Sequence, residues 1–211
     1  MPLTVLITGF GPFPGAPFNP TGALVELLAR QSPVQAGTRR VAHVFTTSYD
    51  TVDRELPALI ARERPAALVM FGLAQRIRHV RIETFARNTL SRVHADVAGV
   101  LPTAKSIVTD GPAALALPAP AQRLLAAARM AGARAVLSSD AGGYLCNYLC
   151  WRASESATSA GGPQVATFVH VPLVQPLTIT TPGAMPRTLG DLVKAGEAIV
   201  EAATMAARIR R

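Results

Sequence analysis

The sequence has almost nothing with which to staple itself. Its 211 residues hold only two cysteines, Cys146 and Cys150, both on one predicted helix, so no disulfide framework is expected and an intracellular setting follows. Among four histidines no pair stands at metal-ligand spacing, so no metal site is expected. Aromatic residues are only 5% and charged residues 16% of the chain. No uncharged apolar run reaches the roughly 18 residues of a spanning helix, which speaks against a membrane protein. Residues 1–10 are apolar but lack a basic n-region and a small-residue cleavage site, so no secretory signal is expected and the predicted location is cytoplasmic. There is no internal repeat.

What is present is a core. Hydrophobic residues make up 49%, enough to exclude disorder, and the length suits one domain over residues 1–211. The formal charge of +8 invites a nucleic-acid reading that its distribution does not support. Lys105 and Lys194 are the only lysines, and the arginines are scattered, with no basic block interleaved with aromatics. No nucleic-acid partner is expected. The 17 prolines and 16 glycines are also dispersed and mark no linker.

Hydrophobic periodicity divides the chain into alternating strands and helices. Strands are predicted at 3–8, 40–46, 67–71, 78–85, 134–138 and 165–171. Helices are predicted at 20–30, 49–64, 120–130, 144–156 and 189–209. A Gly/Pro/Phe loop fills 9–20, residues 89–109 are irregular, and a polar, Pro-rich loop follows Pro172. In 78–85, Val80 and Ile82 alternate with Arg81 and Glu83, as in a half-exposed strand. The alternation predicts an α/β fold: a single-domain three-layer α/β/α arrangement with a twisted, mainly parallel mixed sheet.

Gly142-Gly143-Tyr144-Leu145-Cys146-Asn147 lies where a strand turns through glycines into a helix. A thiol at a helix N-terminus sees the positive end of the helix dipole, and free amides there can hold a developing oxyanion. The same pattern also suits a small buried hydrophobe, the ordinary fate of free cysteine. Cys150, one turn deeper and followed by Trp151, fits core packing. His170 ends the apolar run Thr167-Phe168-Val169-His170-Val171-Pro172, and strand ends are where sites gather in open α/β sheets. It is a better base candidate than His43, His79 or His94. Glu83 is either a solvated carboxylate between Arg81 and Arg87 or the group that orients a histidine; spacing alone does not choose.

Gly9-Phe10-Gly11-Pro12-Phe13-Pro14-Gly15 superficially suggests a nucleotide turn. Pro14 stands where the third glycine belongs, and the prolines remove amides a phosphate would need. A stiff loop with Phe10, Phe13 and Asn19 suits a small, flat, amide-bearing ligand, or simply packs its aromatics.

Four ordered blocks in this chain resemble the pyroglutamyl peptidase type I (pyrrolidone-carboxylate peptidase) family of cysteine peptidases. They are Thr8-Gly9-Phe10-Gly11-Pro12-Phe13 with Asn19-Pro20; Gly72-Leu73-Ala74 leading to Glu83-Thr84-Phe85-Ala86-Arg87-Asn88; Ser138 through Asn147; and Phe168 through Pro172. Asp110-Gly111-Pro112 is also familiar. The resemblance implies a Glu83-Cys146-His170 triad and a pyroglutamyl pocket carried by Phe10, Phe13 and Asn19, with Arg92 mapping approximately to a family arginine near the site. It implies pyroglutamyl peptides as substrates, no cofactor, and a homo-oligomer, dimer or tetramer. The chain departs from the family where Gln75-Arg76 stands near an absent G-G-R, where Thr84 follows Glu83 in place of arginine, in the short apolar 113–118 segment, and at Asp140. The alternatives are a same-mechanism hydrolase of another cyclic amide or blocked amino acid, a weakly active member, or a non-catalytic binding module.

Overall fold

The computed structural model describes residues 2–174 and 188–210. The β-strands are β1 (Leu3–Phe10), β2 (Thr38–Phe45), β3 (Ala67–Leu73), β4 (Val80–Glu83), β5 (Phe85–Arg87), β6 (Ala114–Ala116), β7 (Ala135–Ser138) and β8 (Val165–Val171). The helices are α1 (Pro20–Arg30), α2 (Tyr49–Glu63), α3 (Ala121–Met130), α4 (Leu145–Thr158) and α5 (Leu189–Ile209).

Six strands form one sheet in the order β2-β1-β3-β8-β4-β7. Every neighbouring pair is parallel except β4 with β8. Side chains alternate across a strand, so the sheet has two apolar faces, each needing a cover. Val5, Ile7, Val69, Phe71, Ile82 and Val169 pack on one side with α1, α3 and α5. Leu6, Phe10, Leu68, Met70 and Phe168 pack on the other with α2 and α4. This is the three-layer, mainly parallel mixed sheet that the alternation predicts.

Two predicted boundaries moved for physical reasons. β1 runs on through Phe10, which is only 2% exposed because Phe45 of the paired β2 lies against it at 6.0 Å between ring centres. The predicted strand 78–85 breaks at Thr84, whose amide and hydroxyl both donate to Ser138 O, at 2.8 and 2.9 Å. Beyond it the chain leaves the main sheet, and β5 pairs antiparallel with β6. β6 was not predicted, because it lies in an apolar stretch too short to show a period. Nor is β4 half-exposed as predicted. With β8 on one edge and β7 on the other, and helices over both faces, Glu83 is 1% exposed. Most of the predicted Pro-rich loop, residues 175–187, lies outside the described residues.

Candidate active site

The one antiparallel junction of the six-stranded sheet, among the described residues, builds the site's floor. In its register Glu83 faces Phe168 and Arg81 faces His170. Glu83 and His170 are therefore diagonal neighbours on one face, within reach of long side chains. Oε1 of Glu83 lies 2.8 Å from Nδ1 of His170, and the two residues are 1% and 6% exposed. The Phe168 ring stands edge-on to the imidazole at 5.0 Å and fixes its plane. The other carboxylate oxygen, Oε2, is buried and has no partner among the described residues.

Cys146 enters from above, in the first turn of α4. Gly142 takes the left-handed conformation, φ 83°, that a side chain resists, and the turn is closed by Asp140 Oδ1 accepting from Gly142 N at 2.9 Å. Tyr144, the N-cap, offers no side-chain cap, so the first-turn amides beside the thiol keep no intrahelical partner. The helix start is anchored by Asn147, fully buried, which accepts from Arg87 N at 2.8 Å and donates to Arg87 O and Thr89 O at 2.8 and 3.1 Å. Asp140, the acidic departure beside this turn, is paired with Arg87 at 3.5 Å.

Under the thiol the sheet has no side chain. Gly72 pairs with His170 in the β3–β8 register. A β-carbon there would sit 2.8 Å from Sγ of Cys146 and 2.5 Å from the Phe168 ring. The gap at Gly72 is what lets the sulfur descend beside His170. Burial is the largest influence on the His170 ring and lowers its pKa. The charge and hydrogen bond of Cys146, then those of Glu83, outweigh it and raise the ring to about 9. Cys150, one turn on, is fully buried, and burial first, then the charges of Cys146 and Glu83, push its thiol well above the ordinary value. The two cysteines thus occupy opposite environments on one helix.

A cavity of about 660 Å³ adjoins this floor, lined among others by Phe13, Leu73, Gln75, Arg76, His94 and Tyr144. Leu73 follows Gly72 and Tyr144 precedes Cys146 by two residues, so its lining is continuous in sequence with the floor, although Cys146, His170 and Glu83 do not themselves line it. The Phe13 ring faces Tyr144 at 6.3 Å, and His94 stands edge-on to Tyr144 at 6.2 Å. The side-chain amide of Gln75 donates to Gly15 O at 2.6 Å and ties the first loop across the mouth.

Not all the candidate pocket residues meet here. Phe10 is buried behind the loop against Phe45, a backing group and not a wall. The Asn19 side chain is engaged at both ends: Nδ2 donates to Gly11 O at 3.0 Å, and Oδ1 accepts from Thr21 N at 3.1 Å as the N-cap of α1. Helix N-termini call for such a cap, and through these bonds the amide shapes the loop. Arg92 is exposed beside the rim and does not line the cavity, although its neighbour Val93 does. Sequence reasoning missed Gly72, Leu73, His94, Tyr144 and Asn147. Tyr144 and Asn147 lie inside the motif around Cys146, which was the available signal; nothing local marks His94.

The chain is similar to known proteins over nearly its whole length. A family model described as pyroglutamyl peptidase matches residues 3–208. The chain belongs to the pyroglutamyl peptidase family. It is 33% identical over 195 residues to pyrrolidone-carboxylate peptidase 1 of Ralstonia nicotianae, covering 92% of this chain and 88% of that one. It is 30% identical to the pyrrolidone-carboxylate peptidase of Thermococcus kodakarensis, with 81% of each chain covered. The solved pyrrolidone carboxyl peptidase of Thermococcus litoralis superposes with a TM-score of 0.87 at 27% identity, over 99% of this chain and 96% of that one. Members of this pyroglutamyl peptidase family are cysteine peptidases, and the chain is an enzyme of that kind. Among the described residues no helix is long and apolar enough to cross a membrane, and no cluster of His, Cys, Asp and Glu could hold a metal.

Proposed function

We propose that this pyroglutamyl peptidase removes an N-terminal pyroglutamyl residue from peptides with Cys146 as nucleophile, His170 as acid–base and Glu83 as orienter. The observation that carries the assignment is the buried Glu83–His170 contact at 2.8 Å, placed under a thiol that itself acts on the His170 ring. Sγ of Cys146 attacks the carbonyl joining pyroglutamate to the next residue, with the thiol proton held on His170. The first-turn amides of α4 receive the oxyanion. His170 passes its proton to the leaving amine, and water then hydrolyses the thioester. Glu83, held in the sheet, fixes the imidazole's tautomer and favours its charged form.

The lactam has no charged amine, so its site needs apolar walls and few polar groups. Phe13 and Tyr144 clasp the ring, and Leu73 closes the wall next to Cys146. Phe10 and Asn19 act through the loop, one backing it and the other fixing its turn. Arg92, exposed near the rim, meets the peptide beyond the lactam in this reading. A cytoplasmic location and a homo-oligomeric assembly, dimer or tetramer, belong to the same proposal and rest on the family resemblance.

The test compares kcat/KM for pyroglutamyl and acetyl-aminoacyl anilides. The reading expects turnover of the pyroglutamyl compound with little of the acetylated ones; the reverse order would move the enzyme to another blocked amino acid.

A further inference from the structure

The cavity is larger than a five-membered lactam needs, and the charged side chain exposed on its wall is an arginine, whereas the lining carboxylate is buried. Besides Tyr144, three ionisable side chains line it: Arg76, His94 and Asp96. Asp96 is 3% exposed and its carboxylate is taken up by backbone amides: Oδ2 accepts from Tyr49 N at 3.0 Å, and Oδ1 accepts from Ala98 N and Val100 N, each at 2.9 Å. The other carboxylates near the thiol are engaged as well, Glu83 on His170 and Asp140 on Arg87 and Gly142 N. Arg76 is exposed on the cavity wall and makes no ion pair or hydrogen bond among the described residues. Arg92, beside the rim, is equally exposed and unpaired there. Gln75, the neighbour of Arg76, is tied to Gly15 O, which holds this wall segment against the first loop. Gln75-Arg76 is also where this chain departs from the family pattern.

We infer that the outer cavity receives the residue following the pyroglutamyl group and selects a carboxylate there, through Arg76. The inference rests on the pyroglutamyl reading of the inner wall and adds the substrate class that the outer wall prefers. A guanidinium without a protein partner offers a planar donor fork that matches a carboxylate. The carboxylate can be an acidic side chain or the free C-terminus of a dipeptide, and both place the same group one residue beyond the scissile bond.

Pyroglutamate release separates the two sources. One pair is pyroglutamyl-glutamyl amide against pyroglutamyl-glutaminyl amide; the other is pyroglutamyl-alanine against its amide. The wild type should favour at least one acid over its neutral partner by roughly two- to fivefold in kcat/KM at low salt, the range of a partly exposed ion pair. The ratio should shrink with added salt and fall to about one in Arg76→Gln. The ratio within each enzyme is the readout, so a general change in rate does not imitate it. A preference confined to the first pair assigns the side chain; one confined to the second assigns the C-terminus. Ratios near or below one in the wild type, or an acid preference that survives in Arg76→Gln, overturn the inference while leaving the pyroglutamyl reading intact. Absence of turnover on these peptides and on neutral pyroglutamyl-coumarin amide alike would overturn both.

Discussion

The floor of the site and its outer wall are built on opposite principles. Glu83, Gly72 and His170 sit on three adjacent central strands, and both ionisable members of that set are almost fully buried. The wall is made of the first loop and residues 93–96, held by side chains that bond to backbone: Asn19 to Gly11, Gln75 to Gly15, Asp96 to Tyr49, Ala98 and Val100. Chemistry is placed where a packed sheet fixes position, and recognition where single substitutions can reshape the surface. Floor changes should therefore alter the reaction itself, and wall changes should alter which peptide reacts.

The largest effect belongs to the nucleophile. Cys146→Ser should lower kcat by roughly a thousandfold or more, because a serine hydroxyl is not activated as a thiol is. Cys150→Ser should keep activity within about twofold and lose about 1–2 kcal/mol of stability for burying a hydroxyl, measured by denaturant unfolding. Activity that follows Cys150 would invert the contrast between the two thiols.

Gly72→Ala comes next. Its β-carbon collides with the thiol and with the Phe168 ring. Overpacking of this kind costs about 1–3 kcal/mol of stability, and displacing the sulfur should lower kcat by roughly a hundredfold. Pairing it with Phe168→Leu should return stability by relieving the ring contact, but not kcat, because the clash with sulfur remains and the imidazole loses the ring that stands against it. Joint recovery of both would reduce Gly72 to a packing position.

Glu83→Gln tests the orienter. It should lower kcat/KM by roughly a hundredfold and move the alkaline limb of the pH profile. The His170 ring is raised to about 9, so it stays charged through neutrality, and the leaving amine loses its proton donor as pH climbs past that value. The charged ring likewise contributes stability that is full below its ordinary 6.5 and is lost as pH rises through about 9. Glu83 is one of the groups that raise the ring, so its removal should shift the limb downward. An unmoved limb would take Glu83 out of the proton's path.

Much of the floor was legible and much of the wall was not. β8 and α5 fall where the apolar period puts them, and Cys146 and His170 carry local signatures, a Gly turn into a helix and a histidine ending an apolar strand. The role of Glu83 was open because it depends on an antiparallel pairing between segments 87 residues apart, and no local pattern states such a register. Gly72 was visible only as a turn glycine; its use as a gap under the sulfur needs α4 laid over β3. Asn19 carried two readings at once: the predicted helix start at 20 makes it an N-cap, and an amide on the same loop also suits a ligand. His94 reads as exposed from its neighbours, which it is, yet the fold of 89–110 brings it to Tyr144.

The smallest effect belongs to the wall. Phe13→Ala should raise KM for pyroglutamyl substrates by about tenfold through lost ring contact, with kcat changed less. Its iodoacetamide reaction rate should match the wild type. A fall in thiol reactivity would mean that wall and floor are not separable.

The central claim, that Cys146 is activated over the Glu83–His170 pair and cleaves after pyroglutamate, is met most directly by stoichiometric alkylation. Iodoacetamide is titrated into the enzyme, hydrolysis of pyroglutamyl-coumarin amide is followed at each addition, and the labelled residue is mapped by peptide mass. The account predicts one label per chain, on Cys146, with activity falling to zero in proportion. Full activity in a chain labelled at Cys146, or no hydrolysis by unlabelled, folded enzyme, would contradict it.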